Sequence, residues 1–129
     1  MTDGLDEIQR QATKAHLQAT IEEQFKSVGY LLVAHGGGLV SCVTFLKEKS
    51  TIPGVQLFTS LFAYGFLTAI FAYGFTALVA QEARLLFINS GISRNRVMLT
   101  LRVSLIFVAI SSLLLMSAVI LIAQRLGVF

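Results

Sequence analysis

The stretch Val55–Ala80, VQLFTSLFAYGFLTAIFAYGFTALVA, contains no Asp, Glu, Lys or Arg across 26 positions. As an α-helix it would be about 39 Å long, whereas the hydrocarbon of a bilayer is about 30 Å thick. Two further uncharged runs flank it, namely Ser27–Leu46 with 20 residues and Val103–Ala123 with 21. Each run is long enough to cross a membrane, so the sequence predicts three transmembrane helices.

The composition of the whole chain agrees with this prediction. Of its 129 residues, 55% are hydrophobic and 13% are charged, whereas an ordinary soluble domain has about 25% charged residues. Such a surface excludes a soluble globular enzyme and a disordered tail. Cys42 is the only cysteine, which excludes an intramolecular disulfide framework and a cysteine-rich metal site. We therefore expect an all-α integral membrane protein with no catalytic residues and no metal site.

The chain divides into an N-terminal segment, residues 1–26, and a three-helix transmembrane domain, residues 27–129. The first segment is predicted to be an amphipathic helix because its apolar residues recur at intervals of three and four. They form two ridges, a first ridge of Leu5, Ile8, Ala12, Ala15 and Ala19, and a second ridge of Leu17, Ile21, Phe25 and Val28. The first ridge is mostly alanine, which favours a position on the membrane surface or against a partner helix.

Turn signals and cations predict the topology. Ile52-Pro53-Gly54 separates the first two spans, and the second helix is expected to run on towards Asn89-Ser90-Gly91. Ser93 is a candidate cap of the third helix. Seven Lys and Arg residues then lie on the side of the N-terminus and three on the other. This favours a cytoplasmic or matrix N-terminus and an external C-terminus, in a bacterial or organellar inner membrane.

Charge is unevenly distributed along the chain. The net charge is +3 overall, but residues 1–26 carry −2 and residues 81–102 carry +3. We expect the four arginines of the second segment to contact lipid headgroups or an acidic partner, including the acidic N-terminal segment. They are Arg84, Arg94, Arg96 and Arg102. No long basic face lies outside the membrane runs, so nucleic acid is not an expected partner.

Small residues predict where the helices pack. In membranes, pairs of small residues four positions apart let helix backbones approach closely. The first span contains two such pairs, Ala34–Gly38 and Gly37–Ser41, around three consecutive glycines. The second span should be the central packing element, because a small-residue groove runs along it beside aromatic side chains. The predicted packing residues are Gly36, Gly37, Gly38, Ser41, Gly65, Ala69, Ala72, Thr76, Ser104 and Ser111.

The second span also contains a repeat, FAYGF at residues 62–66 and again at residues 71–75. The copies are nine positions apart, which places them on opposite faces of a helix. One aromatic stripe is therefore expected to pack inside the protein, and the other to face lipid or a partner.

His35 is the candidate cofactor or proton site. It lies near the middle of the first span, and an ionisable group inside a membrane is costly to bury unless it has a role. A haem ligand, a proton relay and a quinone contact are open, beside a neutral imidazole that only joins helices. His16, the only other histidine, lies outside the spans, so one chain cannot supply two axial histidines.

These features favour a non-catalytic accessory or structural subunit of a membrane complex, or a homo-oligomer. Three short-looped spans are also similar to phage holins, a class of pore-forming proteins that usually has the opposite topology and a charged tail. The same architecture resembles the membrane anchors of succinate dehydrogenases, which would imply haem or quinone near His35. The expected partners are thus the bilayer and either other membrane subunits or copies of the same chain.

Overall fold

A computed structural model describes residues 2–47, 54–88 and 91–128. They form three α-helices, α1 (Thr2–Lys47), α2 (Val55–Phe87) and α3 (Arg94–Arg125), and no strand occurs within these ranges. At 1.5 Å per residue the helices are about 69, 50 and 48 Å long. All three are long and apolar enough to cross a membrane. The prediction of an all-helical chain with three membrane-length helices is confirmed.

Helix α1 joins the N-terminal segment to the first span without a break. The helix also continues through Gly36, Gly37 and Gly38, because apolar surroundings favour internal backbone hydrogen bonds. A separate N-terminal helix lying flat on the membrane is therefore not seen. The two ridges differ: Ile21 and Val28 of the second ridge are buried, whereas Leu5 and Ile8 of the first are exposed.

Local sequence accounts for the helix ends that the structure describes. Gly54 adopts a left-handed φ of 90° before α2, a conformation that glycine tolerates best. The Ser93 hydroxyl accepts a hydrogen bond from the Arg96 N–H, as predicted for the cap of α3. Helix α3 ends in a Schellman motif in which the Val128 N–H donates to the Ala123 carbonyl, with Gly127 at a φ of 70°. The predicted turn at Ile52-Pro53 and the positions Asn89-Ser90 lie outside the described residues.

Helix α2 is the centre of the bundle, because it packs along both neighbours whereas α1 and α3 touch at few positions. Two apolar clusters pack the other helices against the two ends of α2. The first consists of Ile21, Val79, Ala83, Val97 and Leu101, and the second of Cys42, Val55, Phe58, Phe62 and Ala118. The buried polar contacts between helices lie between these clusters.

The two faces of the FAYGF repeat have different surroundings. Phe62 of the first copy is 5% exposed, whereas Tyr64 and Phe71 remain more than half exposed. Phe75 stacks on Phe107 of α3, with ring centroids 5.4 Å apart. One aromatic stripe thus packs against neighbouring helices while much of the other faces outward.

Candidate functional site

His35 is fully buried among the three helices. Its Nε2 atom lies 3.0 Å from the backbone carbonyl oxygen of Ser111 in α3. A carbonyl oxygen only accepts hydrogen bonds, so Nε2 carries the proton and donates it. This bond links α1 directly to α3, two helices that otherwise meet at few positions.

Gly65 of α2 makes room for the His35 ring. A Cβ atom built on Gly65 would overlap the imidazole, so any larger residue here would displace it. The Ser111 hydroxyl donates to the Gly65 carbonyl at 3.0 Å, and the Phe62 ring lies edge-on to the imidazole at 6.1 Å between centroids. His35, Gly65 and Ser111 bring all three helices together, and we call this group the histidine level.

The histidine level leaves little room for a cofactor on the ring. Nε2 is engaged by the Ser111 carbonyl, and the face of α2 at Gly65 covers the imidazole too closely to admit even a methyl group. Nδ1 is buried and has no hydrogen-bond partner among the described residues. Haem ligation at Nε2 would break the bond to Ser111, so these residues do not fit an axial haem site in this arrangement. The contacts of His35, Gly65 and Ser111 instead join the three helices.

A second polar group lies farther along the bundle towards the N-terminal end of α1. The Gln24 side chain donates to the Ser104 hydroxyl at 3.1 Å, and the Ser104 and Thr76 hydroxyls are 2.7 Å apart. Thr76 also bonds to the Ala72 carbonyl in its own helix at 2.7 Å. Thr76 and Ser104 are fully buried and Gln24 is 6% exposed. Gln24, Thr76 and Ser104 again join the three helices, and we call this group the glutamine level.

The predicted packing residues of α2 and α3 come together at these two levels. Gly65, Ala69, Ala72 and Thr76 all lie on the buried face of α2. Ser104 and Ser111 are fully buried on α3 and bond to that same face.

The glycines of α1 behave differently from one another. A Cβ built on Gly38 would overlap the Phe62 ring, and a Cβ built on Gly36 would lie 3.6 Å from the Phe66 ring. Gly37 and Ser41 are exposed, so their predicted role in helix packing stays a prediction. The exposure results from rotation: at 100° per residue, the face that carries His35 and Gly38 turns Gly37 and Ser41 outward.

The arginines do not form one cluster. The Arg96 Nε atom lies 3.0 Å from a Glu82 carboxylate oxygen of α2, and the Thr100 hydroxyl donates to the other oxygen at 2.9 Å. Arg84, Arg94 and Arg102 are exposed. Among the described residues Arg96 pairs with Glu82 of α2 rather than with the acidic part of α1, because α3 packs on α2.

Two features of the structure are not predicted from the sequence. The first is Gln24, which lies 11 residues before His35. Eleven residues make about three helical turns, so Gln24 lies on the same face of α1 as His35. That spacing is the sequence signal that indicates a second polar contact on this face. The second feature is at the end of α2, where Arg10 donates to the Phe87 carbonyl at 2.8 Å and the Lys14 ammonium lies 5.8 Å from the centroid of the Phe87 ring. Cations near the last carbonyls of a helix stabilise its C-terminus.

Comparisons of the chain with protein-family models, with curated proteins and with solved structures gave no significant match. Its function is therefore inferred from its own residues and contacts.

Proposed function

We propose that this protein is a non-catalytic membrane protein that works by helix–helix association, as an accessory subunit of a larger complex or as a homo-oligomer. One observation carries the proposal: a whole face of α1 has no partner among the described residues of the chain. Gly37 and Ser41 lie on this face and form a pair of small residues four positions apart, the spacing typical of close helix contacts in membranes.

The exposed face extends along the full length of α1. Tyr30, Val33 and Val40 flank Gly37 and are each at least two-thirds exposed. Towards the N-terminus the same face carries the first ridge, from Leu5 to Ala19, which is also exposed. A lipid-facing helix does not need glycine, because Gly lowers helix stability by up to about 1 kcal/mol relative to Ala in water. Glycine does favour the close approach of a second helix, because it has no side chain.

The buried polar residues support a structural role. His35, Ser104 and Ser111 each bond to another helix of the same chain, and the described residues contain no cluster of metal-ligating side chains. These buried polar side chains thus hold the three helices together. The proposed topology follows the cation count, with the N-terminus and the connection between α2 and α3 in the cytoplasm or matrix.

Cysteine crosslinking tests the proposal. In a Cys42→Ala background, Gly37→Cys places a thiol on the exposed face of α1, and Gly74→Cys places one on α2 as a matched control. Both glycines are open, since a Cβ on either would meet nothing within 4 Å. With a membrane-permeable oxidant we expect crosslinks at position 37 and none at position 74.

The mass of the crosslinked product separates the two forms of the proposal. A dimer of this chain indicates a homo-oligomer, and a heavier product from native membranes that contains a second protein indicates a subunit. A chain that stays monomeric in native membranes, without crosslinks at position 37 and without a copurifying protein, would contradict the proposal.

A further inference from the structure

A cavity of about 380 Å³ lies between α1 and α2, towards the N-terminal end of α1. Lys14 and Arg84 are the two cations on its wall, and Leu17, Ile21 and Phe25 contribute apolar surface. It therefore combines positive charge with an apolar floor. Neither the histidine level nor the glutamine level contributes a residue to it.

Measured from the end of the uncharged run in α2, the Arg84 end of the cavity lies at the depth of lipid headgroups, and Lys14, beside Phe87, lies at its outer rim. That run ends at Ala80. Arg84 is four residues beyond Ala80, which is about 6 Å along the helix. The polar headgroup layer on each side of a bilayer is about 5–7 Å thick, so the Arg84 backbone lies within it.

The charges on the residues that line the cavity do not cancel. Lys14 and Arg84 form no ion pair among the described residues, where the one salt bridge joins Arg96 and Glu82. Glu22 lies on the same wall, so two cations and one anion leave a formal charge of +1. A phosphodiester carries one negative charge, and the guanidinium of arginine can bind two of its oxygens at once.

A neighbouring groove adjoins this cavity and shares Phe25, Ala80 and Arg84 with it. The groove follows α2 from Ile88 at the outer end to Ala77, which is about one turn deeper than Ala80. A phospholipid has the same layout, with a phosphate at the interface and an acyl chain that runs inward from it. Basic pockets between transmembrane helices on the cytoplasmic side are a recurrent form of lipid site.

We propose that this cavity binds the phosphate of an anionic phospholipid, with Lys14 and Arg84 contacting the phosphate and Phe25 and Ala80 contacting the glycerol and acyl chain. Anionic lipids are favoured over phosphatidylcholine because the choline cation would add to the positive charge of the cavity. The site goes beyond the proposed function, since it needs no second protein.

Native mass spectrometry from nanodiscs of equimolar phosphatidylglycerol and phosphatidylcholine tests the site. We expect the wild-type chain to retain phosphatidylglycerol in preference to phosphatidylcholine. Each of Lys14→Gln and Arg84→Gln should lower that preference about fivefold, the equivalent of about 1 kcal/mol per cation near a membrane. Arg102→Gln is the matched control, because Arg102 is exposed and adjoins the third uncharged run but does not line the cavity.

Two results would overturn the lipid site. One is equal retention of the two lipids by the wild-type chain, and the other is an equal loss of preference in Arg84→Gln and Arg102→Gln. Circular dichroism of each variant shows whether it has folded, and Arg84→Lys, which keeps the charge, should recover part of the preference.

Inorganic phosphate distinguishes a lipid headgroup from a soluble phosphate. Added at millimolar concentration to the detergent-solubilised protein, it should leave bound phosphatidylglycerol in place, because it makes no contact with the apolar floor. Displacement of the lipid by phosphate alone would show that the cavity is a site for a soluble anion and would refute the lipid assignment.

Discussion

The histidine level and the glutamine level both join three helices, but they do so by different means. At the histidine level a bulky ring fits against a residue that has no side chain, and a Cβ on Gly65 would overlap it. At the glutamine level short side chains meet through hydroxyl and amide groups, with the Thr76 and Ser104 hydroxyls 2.7 Å apart. The histidine level thus adds close packing of a ring against glycine to its hydrogen bonds, whereas the glutamine level depends on hydrogen bonds between side chains.

This difference determines which substitutions each level tolerates. Buried shape complementarity is lost when volume is added, typically at a cost of 1–3 kcal/mol. Hydrogen bonds between membrane helices contribute less, about 0.6 kcal/mol on average and up to about 1.7. We therefore expect volume changes at the histidine level to have the largest effects on the free energy of unfolding.

Gly65→Ala is expected to have the largest effect. The added methyl group overlaps the enclosed His35 ring, so the free energy of unfolding should fall by about 1–3 kcal/mol. SDS titration of the detergent-solubilised protein, followed by near-ultraviolet circular dichroism, measures it. The control is Gly74→Ala, the equivalent position of the second FAYGF copy, where a Cβ meets nothing within 4 Å. It should leave stability unchanged or raise it by up to about 1 kcal/mol.

A double-mutant cycle then identifies the clash. His35→Ala removes the ring that the new methyl group would meet, so Gly65→Ala should cost much less in that background than in the wild-type chain. An equal cost in both backgrounds would contradict the role assigned to the His35 ring.

Thr76→Val is expected to have an intermediate effect at the glutamine level. Valine keeps the shape of threonine but loses the hydroxyl that meets Ser104, so we expect a loss of about 0.6–1.7 kcal/mol. Thr44→Val is the matched control: both hydroxyls bond to the carbonyl four residues earlier, but the Thr44 hydroxyl has no bond to another helix among the described residues. Equal effects of the two substitutions in SDS titration would show that the bond to Ser104 contributes nothing.

Arg96→Gln should have the smallest effect and should depend on salt. It removes the ion pair with Glu82, in which the Arg96 side chain is 68% exposed, and exposed pairs contribute about 0.2–1 kcal/mol. The difference from the wild-type chain should vanish at 1 M NaCl, where the Debye length is about 3 Å. Arg94→Gln, at an exposed position without an ion pair in the described structure, should lower stability at neither salt concentration, because it only removes a cation from the first turn of α3. A difference that persists in high salt would argue against an electrostatic origin.

The sequence was sufficient to predict the number of helices, the central place of α2 and the Ser93 cap. It was not sufficient to predict the rotation of α1. Both Ala34–Gly38 and Gly37–Ser41 have the spacing of a helix contact, and in a membrane the apolar outward face gives no hydrophobic signal to tell them apart. The choice depends on partners distant in sequence, namely the Ser111 carbonyl for His35 and the Phe62 ring for Gly38. Such contacts cannot be derived from the spacing within one helix.

The uninterrupted course of α1 gives the protein a mechanical property. The helix contains no break between Leu5 and His35, a separation of about 45 Å along its axis. Tilting such a rod by ten degrees about the histidine level would move its outer end by about 8 Å. Arg10 and Lys14 brace the rod against the end of α2 at Phe87. A load on the outer end of α1 would therefore strain the contacts at Phe87, at Ile21 and at Gln24 before it reached the buried imidazole.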